Sequence, residues 1–134
     1  MEPLVLNPTS DTPRVNFNAQ TGLLKIEGRS WPENSTNFYV PLIEWFDQYI
    51  SSEKEKTDFY VTLEYFNSTS SKMLLALFRR LIRLVHSGSK VTIHWCYHFD
   101  DEEMLETGKE YHAEIDHPSD LFEFKFTGIE EYPV

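Results

Sequence analysis

The sequence is short of cysteine and of positive charge. Cys96 is the single cysteine, so the chain forms no internal disulfide and a thiolate metal site would lack ligands. The formal net charge is -10 at pH 7, which disfavours binding to nucleic acid or to an anionic membrane surface. No apolar run approaches a transmembrane length, and residues 1–12 lack the pattern of a secretory signal. We therefore expect a cytoplasmic protein.

The length and composition fit one compact domain over residues 1–134. Hydrophobic residues make up 40% of the chain and aromatic residues 15%, which is enough for an ordinary apolar core. No repeat, low-complexity tract or long linker interrupts the sequence. We therefore expect a single domain.

The first half of the chain predicts a β-hairpin, a helix and a strand. Alternating apolar residues from Val15 to Glu27, with a turn at residues 20–22, are typical of a hairpin. Helical spacing begins at Phe38 and ends near residues 51–52, and Pro41 fits only if it lies in the first turn. The period then changes to two, which places Phe59, Val61, Leu63 and Tyr65 on one face of a strand.

The second half predicts two further helix and strand pairs and a sheet covered on one face. A strongly amphipathic helix follows the strand at once and stops near Gly88. A strand from Val91 to Phe99 precedes an acidic helix that Asp100 caps, and a last strand covers residues 121–127. The strands after the hairpin alternate apolar with polar residues, so helices should cover only one face. The predicted fold is a two-layer α/β domain with a mixed sheet and an N-terminal hairpin.

Four consecutive hydroxyl residues, Ser68 to Ser71, lie between the predicted strand and the amphipathic helix. Unpaired backbone N–H groups and the positive end of the helix dipole meet at such a position, so it can hold an anion or a phosphate. Ser and Thr are also preferred N-caps, which explains one hydroxyl or two. Four in a row exceed what capping requires.

The amphipathic helix also carries a group of basic residues. Together with Ala76 they recur at spacings of three or four residues and therefore gather on one side of the helix, in an otherwise acidic chain. They form either a solvated face that covers apolar edges or a docking surface for an acidic partner. Phosphorylation of the hydroxyl run would add about -1.5 to -2 charges beside them. The basic residues are Lys72, Arg79, Arg80 and Arg83.

Two separate segments resemble the signatures of the SiaC family of bacterial regulatory phosphoproteins. One is Asn67 to Lys72, preceded by Leu63-Glu64-Tyr65-Phe66 and followed by Met73-Leu74-Leu75. The other is Gly28 to Ser35, which is similar to the Gly-x-Ser-aromatic-Pro-Glu-Asn loop of that family, with the helix that follows it. The resemblance is specific from about Leu24 to Val91.

This resemblance implies a fold like the STAS domains of anti-sigma-factor antagonists and a partner switch rather than an enzyme. In such a switch a dedicated protein kinase phosphorylates a hydroxyl at the turn, and a metal-dependent phosphatase of the PP2C type removes the phosphate. The resemblance also implies a downstream effector. In the characterised system the unphosphorylated protein binds and activates a diguanylate cyclase, which raises cyclic di-GMP and favours biofilm formation. No cofactor is implied.

The family pattern Asn-Thr-Ser-Ser-x-Lys assigns roles to the hydroxyl run. Anchoring the pattern on Asn67 and Lys72 places Ser68 at the acceptor position, and Thr69 is the alternative if the turn is shifted by one residue. Asn67 and Ser70 would then shape and cap the turn, and Lys72 could neutralise the phosphate.

The loop from Trp31 to Asn34 is the next candidate for a partner surface. Glu33 and Asn34 have an alternative role, as an acidic residue and an N-cap at the start of the first helix. Trp31 fits either the core or the rim of a contact. The resemblance favours a functional role for the loop.

A metal-dependent or hydrolytic enzyme is the main alternative, and a constitutive interaction scaffold is another. His94, Cys96 and His98 recur at every second position of a predicted strand, so they share one face and could present three metal ligands. A polar sheet face explains the same pattern without a metal. Further residues that could extend such a site are His112, Glu114, Asp116 and His117.

Overall fold

The computed structural model describes residues 1–115 and 117–133. Within these residues it contains six strands and three helices. They are β1 (Leu4–Leu6), β2 (Arg14–Asn18), β3 (Leu23–Ser30), α1 (Ser35–Ile50), β4 (Lys56–Phe66), α2 (Ser68–His86), β5 (Lys90–His98), α3 (Glu102–Ile115) and β6 (Phe122–Ile129).

The strands form one mixed sheet in chain order, from β1 to β6. The first three strands pair antiparallel, and β3 through β6 pair parallel. Each parallel step passes through one helix and advances in the same direction along the sheet. Crossovers of the same, right hand then place all three helices on one face. The predicted two-layer α/β fold with a mixed sheet and an N-terminal hairpin is confirmed.

The core lies between the helices and the inward side of the sheet. The apolar stripe predicted for α2 is buried, as are the inward residues of β4 and β5. Burial of apolar area, at about 25 cal/mol per Å², is the main stabilising contribution. The largest fully buried side chains include Phe17, Tyr39, Phe46, Tyr49, Phe59, Phe78 and Trp95.

Helix α1 begins earlier than the apolar spacing predicts. The side chain of Asn34 accepts a hydrogen bond from the backbone N of Asn37 at 3.1 Å and is the N-cap. The helix therefore starts at Ser35 rather than Phe38, and the capping role of Asn34 is confirmed. Pro41 consequently lies beyond the first turn, where it removes one backbone hydrogen bond of the helix.

Strand β4 does not keep its alternation to the end. Tyr65 is 53% exposed, although it was predicted on the buried face. Gly28 of β3 pairs with Leu63, whereas Arg29 pairs with Tyr65, so the register shifts by one residue between them. This irregularity has the effect of a β-bulge, which turns Tyr65 outward and directs Phe66 against the core.

Three smaller features concern the ends of elements. Strand β1 was not predicted, because three residues between prolines carry too little pattern. Asp101, not Asp100, caps α3, since its Oδ1 accepts from the backbone N of Met104 at 3.0 Å. Gly88 follows α2 with φ of 96°, as expected of a helix stop.

No helix in the described ranges is long and apolar enough to cross a membrane.

Candidate functional site at the amino end of helix α2

The hydroxyl run forms the first turn of α2. Asn67 is the N-cap, and its Oδ1 accepts from the backbone N of Ser70 at 2.9 Å. The backbone N of Asn67 donates to the carbonyl of Ser30 at 2.9 Å. Ser68 and Thr69 are thus the first two helical residues, and both are exposed. The capping role predicted for Asn67 is confirmed, whereas the one predicted for Ser70 was wrong.

Ser70 belongs to a buried group of hydroxyls, here called the hydroxyl chain, formed by Tyr39, Ser30, Ser70 and Ser35. The hydroxyl of Tyr39 lies 2.7 Å from Ser30 Oγ, and Ser30 Oγ donates to Ser70 Oγ at 2.9 Å. Ser35 Oγ lies 3.3 Å from Ser70 Oγ. Ser35 is 2% exposed and the other three are 0% exposed. The two sequence motifs therefore meet in space, through side chains that point inward.

The loop between β3 and α1 also bonds to the turn directly. Asn67 Nδ2 donates to the carbonyl of Pro32 at 3.5 Å, and Ser35 Oγ donates to Asn67 Oδ1 at 3.4 Å. In the same loop Trp31 is 44% exposed and Glu33 is exposed. The loop and the turn thus form one continuous surface beside the exposed hydroxyls.

Ser71 connects the turn to α3. Its Oγ lies 2.6 Å from the hydroxyl of Tyr111, which also donates to the carbonyl of Ser71 at 3.0 Å. Burial raises the pKa of Tyr111 to about 12, and burial likewise raises the pKa of Tyr39 to about 12. Both phenols therefore remain protonated, and able to donate, near neutral pH.

Ser68 and Thr69 differ from these neighbours because their hydroxyls make no hydrogen bond to another described residue. The backbone N–H groups of the first turn and the helix dipole favour an anion at this position. Lys72 is four residues after Ser68, so its ammonium lies on the same side of the helix and can pair with a phosphate there. The residue four after Thr69 is the uncharged Met73.

The basic residues of α2 do not all face one partner surface. Arg79 Nη2 lies 3.0 Å from Glu114 Oε1 of α3, whereas Arg80 Nε lies 2.8 Å from Asp47 Oδ1 of α1. These two arginines tie α2 to both neighbouring helices. The remaining two, Lys72 and Arg83, are exposed.

The alternating histidines and cysteine lie on the uncovered face of the sheet, but each is engaged elsewhere. His94 Nε2 lies 2.8 Å from Asp58 Oδ1, and its ring stacks on Tyr60 with centroids 3.9 Å apart. Burial raises the pKa of the Cys96 thiol, which disfavours the thiolate that binds metals. His98 Nδ1 accepts from the backbone N of Asp100 at 3.1 Å.

These residues do not converge on a metal site. Across residues 1–115 and 117–133, no three His, Cys, Asp or Glu side chains are placed to hold a metal ion. His112 stacks on Phe124, an inward residue of β6, and therefore lies on the other side of the sheet from His94. Asp116 lies outside the described residues. The described residues therefore give no support for extending the site through α3.

Three members of the hydroxyl chain, Ser30, Ser35 and Tyr39, were missed by sequence reasoning. Ser30 and Ser35 lie within the Gly28 to Ser35 motif, which was their only signal. Tyr39 lies in the helix that follows the loop and carried no separate signal. A tyrosine at a core position needs a partner for its hydroxyl, but the sequence does not show which partner it has.

Exposed hydroxyls at a capped helix amino terminus are a geometry that a regulatory phosphoprotein can use, because the helix dipole stabilises an added phosphate. The family comparison agrees with this class, since residues 6–124 match the SiaC family of regulatory phosphoproteins. The chain therefore belongs to the SiaC family, as its two motifs predict.

Similar proteins come from Pseudomonas aeruginosa. The crystal structure of apo-SiaC matches with a TM-score of 0.83 and 23% identity, over 96% of this chain and 100% of that one. A chain in the crystal structure of the diguanylate cyclase SiaD with its activator SiaC matches with a TM-score of 0.81 and 24% identity, over 92% and 98%. An uncharacterized protein of strain UCBPP-PA14 is 25% identical over 118 residues, which are 88% of this chain and 94% of the relative. The structural matches confirm the fold.

Proposed function

We propose that this chain is a phosphorylation-controlled partner-switch protein whose acceptor is Ser68, with Thr69 as the alternative. The observation that carries this proposal is the contrast within one helical turn: Ser68 and Thr69 are exposed, whereas Ser70 is 0% exposed. A kinase can phosphorylate only a hydroxyl that it can reach. The helix dipole then stabilises the phosphate that it adds.

The proposed partners are a protein kinase, a PP2C-type phosphatase and an effector of the diguanylate cyclase class, with cyclic di-GMP as the output. The effector class is supported by family membership, because SiaC of P. aeruginosa is the activator of SiaD in their complex. The contact surface that we propose surrounds the acceptor and consists of Trp31, Glu33, Asn34, Lys72 and Arg83, with Arg79 and Arg80 at its border. Ser70 supports this surface from inside.

One phosphate changes this surface in two ways. It adds about -1.5 to -2 charges at Ser68, and it pairs with Lys72, four residues further along the helix. An acidic partner that contacts Lys72 and Arg83 is then both repelled and deprived of its nearest cation. Phosphorylation is therefore expected to release the effector.

Intact-mass measurement on the chain isolated from its own host tests the acceptor. We expect part of the wild-type protein to carry one phosphate, which treatment with a manganese-dependent PP2C-type phosphatase removes. Ser68→Ala should lack the phosphate, and Thr69→Ala should keep it. Phosphate retained in both variants would contradict the assignment to this turn.

Calorimetric titration with the diguanylate cyclase encoded in the same genome tests the switch. We expect Ser68→Asp to weaken binding about tenfold or more, because it places negative charge in the contact surface. Ser68→Asn, which has similar size and no charge, is the matched control and should bind nearly as wild type. Equal affinity of all three proteins would indicate a constitutive scaffold. No binding by the wild type would exclude this effector.

A further inference from the structure

We propose that Tyr39, Ser30 and Ser70 are positioning residues for phosphoryl transfer at Ser68, an inference that rests on the proposed function. None of the three is placed in contact with the acceptor hydroxyl. They act through the turn that begins at Asn67, because the hydroxyl chain runs from α1, through the end of β3, into the third residue of α2.

Ser30 anchors the turn at two points. Its carbonyl accepts from the backbone N of Asn67 at 2.9 Å, and its Oγ donates to Ser70 Oγ at 2.9 Å. These anchors lie on either side of Ser68 and Thr69 in the sequence. The exposed pair is therefore held at both ends by one residue of β3.

Tyr39 holds the Ser30 side chain in place. The hydroxyl of Tyr39 lies 2.7 Å from Ser30 Oγ, and Tyr39 is 0% exposed. A buried hydroxyl that loses its partner is costly, so an arrangement in which each member is bonded is strongly preferred over a loosened one. The hydroxyl chain therefore fixes the turn at the start of α2 relative to the core. Because the acceptor is already held in one geometry, the kinase and the phosphatase bind it without the entropic cost of ordering the turn.

Helix α1 offers a matched comparison at its other end. The hydroxyl of Tyr49 lies 2.6 Å from Thr57 Oγ1, and Tyr49 and Thr57 are both 0% exposed. That bond joins α1 to the start of β4, at the opposite end of the strand from the hydroxyl run. Loss of the Tyr49 hydroxyl therefore removes the same chemistry from the same helix without touching the turn.

Amide hydrogen exchange of Ser70 and Ser71, measured by NMR together with global stability, tests the inference. Tyr39→Phe and Ser30→Ala should each raise exchange at these two amides about tenfold, beyond any change in global unfolding. Tyr49→Phe should raise it no more than its global stability requires. If Ser30→Ala does not fold, Tyr39→Phe, which removes one oxygen, carries the comparison alone.

The pKa of a phosphate at position 68, measured by phosphorus NMR, is a second observable that loss of packing alone would not change. Phosphoserine incorporated genetically at position 68 should titrate at a lower pKa than phosphoserine in an unstructured peptide, because of the helix amides and Lys72. Tyr39→Phe should move that titration toward the peptide value, and Tyr49→Phe should leave it in place. The inference would be overturned if Tyr39→Phe and Tyr49→Phe had the same phosphoserine pKa and the same exchange rates at the Ser70 and Ser71 amides. An unphosphorylated Ser68 in the cell would instead refute the proposed function, while the exchange result would still show whether the hydroxyl chain fixes the turn.

Discussion

Ser68 and Thr69 are the same kind of residue as Ser70 and Ser71, but the surroundings of the two pairs differ. The first pair is exposed, whereas Ser70 is 0% exposed and Ser71 is bonded to Tyr111. Residues one or two apart on a helix face different directions, so the turn divides its hydroxyls between solvent and interior. The outer pair faces solvent, whereas the inner pair is bonded to residues of β3, α1 and α3.

Ser70→Asp is expected to have the largest effect, because it places a carboxylate in the buried hydroxyl chain, where the described partners of Ser70 are uncharged. We expect a loss of about 3 kcal/mol or more in the free energy of unfolding, measured by urea denaturation. Ser70→Ala removes only the oxygen and should lose about 1 to 2 kcal/mol. Equal stability of the two variants would show that position 70 is open to solvent.

High pH should weaken the inner side of the turn. The pKa values of Tyr39 and Tyr111 are about 12 in the folded chain because both are buried, and about 10 in the unfolded chain. The unfolded chain therefore releases these protons first, so stability is complete below pH of about 10 and falls as pH rises toward about 12. Each tyrosine should account for a loss on the order of 2 kcal/mol.

Urea denaturation at pH of about 9 and about 11.5 measures this loss. Tyr39→Phe and Tyr111→Phe should each flatten the pH dependence. Tyr49, far from the turn, also has a raised pKa because of burial, but no bond of its hydroxyl reaches the hydroxyl run. Tyr49→Phe should change the amide exchange of Ser70 at high pH no more than its global stability requires. If Tyr49→Phe changed the exchange of the Ser70 amide as much as Tyr39→Phe does, the two ends of α1 would not differ in their effect on the turn.

The two asparagine N-caps should contribute different amounts to the free energy of unfolding. Asn34 is exposed, and its cap is one bond to the backbone N of Asn37. Asn67 caps α2 and also bonds to Pro32 and Ser35. We expect Asn34→Ala to lose about 1 kcal/mol and Asn67→Ala about 2 kcal/mol in thermal or urea unfolding. Equal losses would mean that the bonds between the turn and the loop add nothing.

Periodicity was sufficient where one face of a regular element is buried. Helix α2 follows its predicted pattern, because burial of one side imposes a period of 3.6 on the sequence. In β5 the inward residues Val91, Ile93 and Trp95 are buried as predicted, whereas Phe99 lies beyond the strand and is 59% exposed. Tyr65 was placed on the wrong face, since a shift of one residue reverses the alternation and the sequence shows no sign of it. The start of α1 was missed because the cap precedes the first apolar residue by about one turn.

The exposed half of the site was predictable, and the buried half was not. Ser68 and Thr69 lie at a helix start that the change of period marks, within a motif that points to a phosphorylated turn. The hydroxyl chain instead joins residues from positions 30, 39 and 70. Their contact depends on how α1 and α2 pack against β3, and no local pattern encodes that packing. The buried hydroxyls therefore became visible only in the assembled fold.

Ser68→Asp is expected to have the smallest effect and the opposite sign to Ser70→Asp. A carboxylate at the first position of α2 interacts favourably with the helix dipole and with Lys72, so the free energy of unfolding should rise by about 0.5 kcal/mol. Lys72→Gln should remove about half of that gain, and about 1 M salt should screen it. Ser68→Asn is the uncharged control. Destabilisation by Ser68→Asp comparable to that by Ser70→Asp would show that Ser68 also points inward, and a kinase could not then reach it without opening the turn.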